Sequence, residues 1–177
     1  MNQLTMTQTP SQTVGPYFAY GLVPEQYLYD FKSLAGNQLA DPLNEAGIIT
    51  LTGKVFDGEG QPISDAMIEL WDAGNKRFGR FGTGTDPENR YIFYATKPES
   101  VEGQAPHFSL IVFMRGQLLH SYTRLYFPDE TEANEKDEVL NAVPAGRRQT
   151  LIARKTPGGY EFNIYMQGEH ETVFFEV

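Results

Sequence analysis

The chain has 177 residues, no cysteine, and a net charge of −9 from 23 acidic and 14 basic side chains. Its length suits one domain with room for a sizeable core, and 40% hydrophobic with 13% aromatic residues favours a folded globular chain over a disordered one. The charge argues against nucleic acid or an anionic membrane as partner, and the missing cysteines exclude disulfides, thiolate metal sites and a cysteine nucleophile.

The first residues, Met1 to Gln8, have neither a basic segment nor an apolar one, so they do not read as a secretory signal. No apolar run approaches the roughly 20 residues that span a bilayer. The expectation is a soluble, cytoplasmic chain. Residues 1–47 hold little periodic pattern and many breakers, among them Pro10, Gly15, Pro16, Gly21, Pro24, Gly36 and Pro42. Yet Tyr17, Phe18, Tyr20, Tyr27, Tyr29 and Phe31 are too aromatic for a disordered tail. Residues 1–47 therefore read as an irregular arm laid on a surface, its own or a partner's.

From Ile48 the pattern alternates, with Ile49, Leu51, Gly53 and Val55 on one face. Asp57 to Pro62 has strong turn chemistry, and Ala66 to Trp71 follows as a strand at hairpin distance. Trp71, the single tryptophan, reads as core. Glycines at 74, 79, 82 and 84 with Pro87 predict a long loop, before a short strand at Tyr91 to Ala95.

The most apolar stretch comes next. Phe108 to Met114 reads as a strand covered on both faces, Arg115-Gly116-Gln117 breaks it, and Leu118 to Phe127 returns as the second arm of a central hairpin. Arg115, at the tip of a buried strand, has to face water, a partner or an anion. Asp129 to Val143 is the one helical stretch, with Lys136-Asp137-Glu138 on its solvated side. Leu151–Arg154, Tyr160–Gln167 and Thr172–Val177 read as three closing strands. Residues 48–177 thus predict an all-β, antiparallel β-sandwich with one or two short helices.

Residue types alone give no convincing catalytic centre. The three histidines, His107, His120 and His170, lack the close spacing of a histidine metal site. His120 reads as a sheet histidine, and His170 sits between Glu169 and Glu171 in a turn, where the trio would not converge on one ion. His107 stands at the mouth of the buried strand. There is no Gly-x-Ser-x-Gly elbow, Walker loop or dinucleotide fingerprint.

Four stretches go further: Thr9 to Tyr17, Ala105-Pro106-His107 with Phe113 to Gly116, Tyr122 to Asn134, and Gln167 to Phe175. Together they resemble the intradiol ring-cleaving dioxygenases. That resemblance implies the sandwich fold and, in a catalytic chain, ferric iron held by two tyrosines and two histidines. Hard phenolate oxygen suits Fe(III), and imidazole completes such a site. Carried over position by position, the ligands fall on Phe78, Val101, His107 and Ser109, so three of the four are lost.

The resemblance therefore implies a non-iron chain, paired with an iron-bearing beta subunit whose site it helps to line. The pocket-lining residues it implies are Thr13, Gly15, Pro16 and Tyr17 of the arm, together with Arg115. The implied Fe(III) belongs to the partner. The implied reaction uses O2 to open 3,4-dihydroxybenzoate between its hydroxyl-bearing carbons. The alternative is a transthyretin-like binding module, which Gly53 to Pro62 and Ala66 to Leu70 also resemble.

Overall fold

The computed structural model describes residues 13, 15 and 17–176. Nine strands are present among them: β1 (Ile48–Phe56), β2 (Met67–Asp72), β3 (Arg77–Gly82), β4 (Arg90–Thr96), β5 (His107–Phe113), β6 (Ser121–Tyr126), β7 (Arg154–Thr156), β8 (Gly159–Glu161) and β9 (Ile164–Tyr165). They form two packed sheets. One runs β4-β1-β8-β7 with β9 also on β1, and the other runs β3-β2-β5-β6.

Alternation in the sequence decides which side chains meet between the sheets. Leu51 and Val55 of β1 and Tyr91 and Phe93 of β4 face Ile68 and Leu70 of β2, Phe108, Leu110 and Val112 of β5, and Leu125 of β6. All are essentially inaccessible to solvent. Each such side chain contributes about 1.5–3 kcal/mol on burial, so this layer is the main source of stability.

The β5–β6 hairpin predicted from the apolar stretch is present, with His107 opposite Tyr126 and Val112 opposite Ser121. Several details differ from the sequence reading. The second arm starts at Ser121, leaving Leu118, Leu119 and His120 exposed in the loop. The expected long loop after Gly74 contains β3, whose Gly79 lets Leu39 and Phe93 approach. A Cβ there would meet Leu39 Cδ1 at 2.5 Å.

β1 and β2 do not form a hairpin. Asp57 accepts hydrogen bonds from Glu59 and Gln61 in a tight turn, and the chain then crosses to the other sheet. β1 pairs parallel with β8 and β9, so the sandwich is not purely antiparallel. Residues 172–176 form no strand; Phe175 makes one isolated bridge to Tyr122.

The expected single helix is two, α2 (Thr131–Lys136) and α3 (Glu138–Ala142), after α1 (Phe18–Leu22) in the arm. Asp137 separates them. Its backbone is extended and its carboxylate accepts the Leu140 N–H at 2.7 Å, capping α3. Lys136 and Glu138 are exposed, as a solvated face requires, but Asp137 between them is wholly buried, which corrects that reading at its centre. No helix among the described residues is long and apolar enough to cross a membrane.

Two parts of the arm lie on the chain's own sandwich. Ala19 of α1 and Val23 just after it pack on Met67 with Phe113, and residues 37–40 run beside β4, where Leu39 N–H donates to the Tyr94 carbonyl at 2.8 Å. The second contact covers what would otherwise be a bare sheet edge.

Candidate functional site

The outward face of the β3-β2-β5-β6 sheet has two ends. Met67, Glu69 and Trp71 on β2 lie beside Phe113, Ile111 and Ser109 on β5. Arm residues roof the Met67–Phe113 end, whereas the Trp71–Ser109 end is open. Trp71 is 42% exposed and its neighbour across the ladder, Phe78, is 43% exposed. Trp71 is therefore not core. It occupies an outward register position, which overrides the general tendency of large aromatics to be inside. The central strand β5 is likewise covered only in part on this face, with Ile111 and Phe113 half-buried.

At the roofed end, Arg115 follows β5 in the turn toward β6. Gly116 takes φ +89°, a conformation that favours glycine, and its N–H donates to Thr13 Oγ1 at 2.9 Å. This bond brings the arm to the hairpin tip. Gly15 is also left-handed, at φ +74°, with open space where a Cβ would be. Tyr17 is exposed and leans on Tyr20, with ring centroids 5.6 Å apart. Pro16 lies outside the described residues. Arg115 Nε sits 2.8 Å from Asp65 Oδ2. The guanidinium side chain is 60% exposed, while the Asp65 side chain is only 13% exposed. The structure thus brings Thr13 and Arg115 into one neighbourhood.

The four positions carried over as iron-ligand positions belong to the other end. Phe78, Trp71, Ser109 and Arg124 are successive partners across the four strands. His107 lies two residues from Ser109 on the same face, and Val101 makes an isolated bridge to Gln104. His107 Nδ1 is 2.8 Å from the Ala105 carbonyl oxygen, and because a carbonyl only accepts, Nδ1 carries the proton. Burial lowers the His107 pKa, and the Arg124 charge lowers it further.

Arg124 itself donates from Nη1 to Gln104 Oε1 at 2.7 Å and to the Tyr126 hydroxyl at 3.3 Å, with Phe175 6.0 Å from its guanidinium carbon. Tyr126, pushed up to about 12 chiefly by burial, donates to Asp137.

This set does not fit ferric iron. It offers one neutral imidazole, a phenylalanine, a valine and a serine, and the Tyr126 phenol is held protonated. A permanent cation, Arg124, stands beside the imidazole and repels a metal ion. Among the described residues, no three His, Cys, Asp or Glu side chains come together as an ion cage.

No family model matches the chain. It is, however, 46% identical to the protocatechuate 3,4-dioxygenase alpha chain of Burkholderia cepacia, over 98% of this chain and 99% of that one. The chain belongs to the protocatechuate 3,4-dioxygenase alpha-chain family. The alpha chain of Pseudomonas putida is 37% identical over 97% of both. The beta chain of B. cepacia is 30% identical over 75% of this chain and 68% of its own length.

In fold, the chain is similar to an intradiol ring-cleavage dioxygenase from Tetranychus urticae, with a TM-score of 0.59, 13% identity, and coverage of 90% and 93%. It is also similar to the dioxygenase domain of a carbohydrate-binding fusion from a Streptomyces species, with a TM-score of 0.54, 19% identity, and coverage of 90% and 96%. The alpha-chain match includes the arm, a segment that a transthyretin-like module does not need.

Two residues of this alpha-family chain escaped the sequence reading. Asp65 stands two positions before β2, and nothing in its local pattern marks it. Arg124 lies in Tyr122 to Phe127, a stretch already noted for its resemblance, but its position beside His107 depends on the β5–β6 register. His170 is exposed beside Tyr165, with ring centroids 6.2 Å apart, and takes no part in either end of the face.

Proposed function

We propose that this chain is the alpha, non-iron subunit of a cytoplasmic protocatechuate 3,4-dioxygenase. In this reading it pairs with a beta subunit that binds Fe(III), and it helps to line that subunit's pocket for 3,4-dihydroxybenzoate. The observation that carries the reading is the 46% identity to an alpha chain over nearly the whole length of both. A residual ligand set unsuited to iron supports it, as does the separate match to a beta chain.

The beta subunit's iron supplies the activation of catechol and O2 for ring opening to 3-carboxy-cis,cis-muconate. This chain supplies position, charge and exclusion of water. Thr13, Gly15, Pro16 and Tyr17 form the border of the pocket, and Arg115 meets the substrate carboxylate. An arginine suits that task because its fork matches a carboxylate with two parallel hydrogen bonds. The bond between Thr13 and Gly116 supports placing both pieces at one site.

Residues 1–47 act as the arm that packs on the partner, and residues 48–177 as the sandwich that carries it. The exposed Tyr17, Leu28, Tyr29, Phe31 and Leu34 give the arm an apolar surface for that contact.

Co-expression with a beta chain of the same family tests the reading. The expected result is co-purification, iron in the complex, and oxygen uptake on 3,4-dihydroxybenzoate, with neither iron nor turnover in this chain alone. Stoichiometric iron and ring cleavage by the isolated chain would overturn it.

A further inference from the structure

We propose that Asp65 is a positioning residue that holds Arg115 ready for a carboxylate. The inference rests on Arg115 facing the substrate, and it goes beyond that reading by naming what aims the side chain. The β2–β5 ladder ends with Met67 opposite Phe113. Continuing the same antiparallel register by two residues sets Asp65 opposite Arg115. Both residues lie in turns just beyond the strands, and the 2.8 Å approach of Arg115 Nε to Asp65 Oδ2 agrees with that register.

The pair is lopsided in a way that suits this role. The acid is nearly buried and the guanidinium mostly exposed. Asp65 meets Nε, the nitrogen nearest the stem. Neither Nη makes a hydrogen bond or ion pair with another described residue. The two Nη groups are the donors that a planar carboxylate engages in parallel.

An arginine side chain has large rotamer freedom. Fixing it before the ligand arrives removes part of the ordering cost from binding. The two Asp65 oxygens have no aligned hydrogen-bond donor, so Arg115 is the acid's counter-charge and little else competes for it. Gly116, the next residue, is held in turn by Thr13. The acid thus meets the guanidinium directly, while the arm holds the backbone turn that carries it. Lysine in place of Arg115 cannot do both jobs, since a single ammonium nitrogen offers no separate inner and outer donors.

The test uses the assembled alpha–beta complex and two substrates, 3,4-dihydroxybenzoate and 4-methylcatechol, which lacks the carboxylate. Arg115→Ala is expected to raise KM for the carboxylated substrate by about tenfold or more. Asp65→Ala is expected to raise it about fivefold, with kcat within about twofold and KM for 4-methylcatechol little changed. The double variant is expected to be no worse than Arg115→Ala alone, because Asp65 acts through Arg115.

Asp65→Asn preserves side-chain volume and serves as the reading if Asp65→Ala fails to assemble. It is expected to shift KM in the same direction by a smaller factor. If Arg115→Ala raises KM and neither Asp65 variant does, the positioning role is overturned while the pocket reading stands. A fall in KM would make Asp65 a competitor for the arginine, and an equal rise for both substrates would make it merely structural. Either result overturns the proposal. If Arg115→Ala leaves both substrates unaffected, Arg115 is not in the pocket, and both readings fall.

Discussion

Replacing Asp137 with alanine removes one buried side chain that three elements share. Its Oδ2 accepts the Ala105 N–H at 2.8 Å, and its Oδ1 accepts the Leu140 N–H at 2.7 Å and the Tyr126 hydroxyl at 3.2 Å. Ala105 and Tyr126 are themselves buried. The substitution therefore strands two buried donors, at about 1–3 kcal/mol each, and removes a helix cap worth about 1 kcal/mol. Water entering the space recovers part of this, so the expected loss is about 3–5 kcal/mol.

Asp137→Asn keeps one acceptor oxygen but turns an N–H toward a donor, and should cost roughly half as much. Urea unfolding followed by the fluorescence of Trp71 gives the midpoints. With a slope of about 2 kcal/mol/M, Asp137→Ala moves the midpoint down by about 2 M. A loss below about 1 kcal/mol for Asp137→Ala would refute the idea that this carboxylate joins the segment before β5 to β6 and α3.

The remaining predictions concern acid stability and the vacated ligand positions. Burial pushes the Asp129 carboxyl up, but hydrogen bonds from Lys155, Tyr160 and Lys97 more than offset this and bring it down to about 2. A depressed carboxyl stabilises the fold above its ordinary value of 3.8 and loses that contribution as pH falls toward 2. Discounted for the group's partial exposure, the effect is about 1–2 kcal/mol. Asp129→Asn should lower the unfolding midpoint at pH 7 and flatten its fall between pH 4 and 2; parallel curves for the two proteins would contradict this.

Combining Phe78→Tyr, Val101→Tyr and Ser109→His restores the donor types but leaves Arg124 beside His107. That variant is expected to take up no iron. Adding Arg124→Leu should permit measurable uptake, read by metal analysis and by phenolate-to-iron absorption. Stoichiometric iron with Arg124 intact would show that the arginine is no barrier.

What could be read from the sequence followed from local pattern. Phe108 to Met114 and the break at Arg115-Gly116-Gln117 marked the central hairpin because strand periodicity and turn chemistry are both local. Density of glycine hid β3, since Gly79 and Gly82 look like loop residues until Leu39 and Tyr27 are seen packed against them. Trp71 misled for a similar reason. Its size points inward, but its position on the pleat points out, and only the pairing with Ser109 and Phe78 reveals which prevails.

At the site, the loss of ligands was legible because it is a matter of residue type. The cation beside them was not, because Arg124 reaches His107 through strand register. Asp65 was hidden likewise, for its link to Arg115 spans fifty positions of the chain.

The parallel pairing of β1 with β8 and β9 sets the timing of folding. During synthesis, β1 and its antiparallel neighbour β4 emerge long before residues 159–165, which fill the other side. Until residues 159–165 leave the ribosome, Thr50 to Phe56 presents hydrogen-bonding groups to any strand that passes, in a chain whose fold depends on distant contacts. Lys54, in the middle of that stretch, is the kind of charge that discourages such adhesion. A nascent chain halted before Gly159 should accordingly be the form most prone to clump.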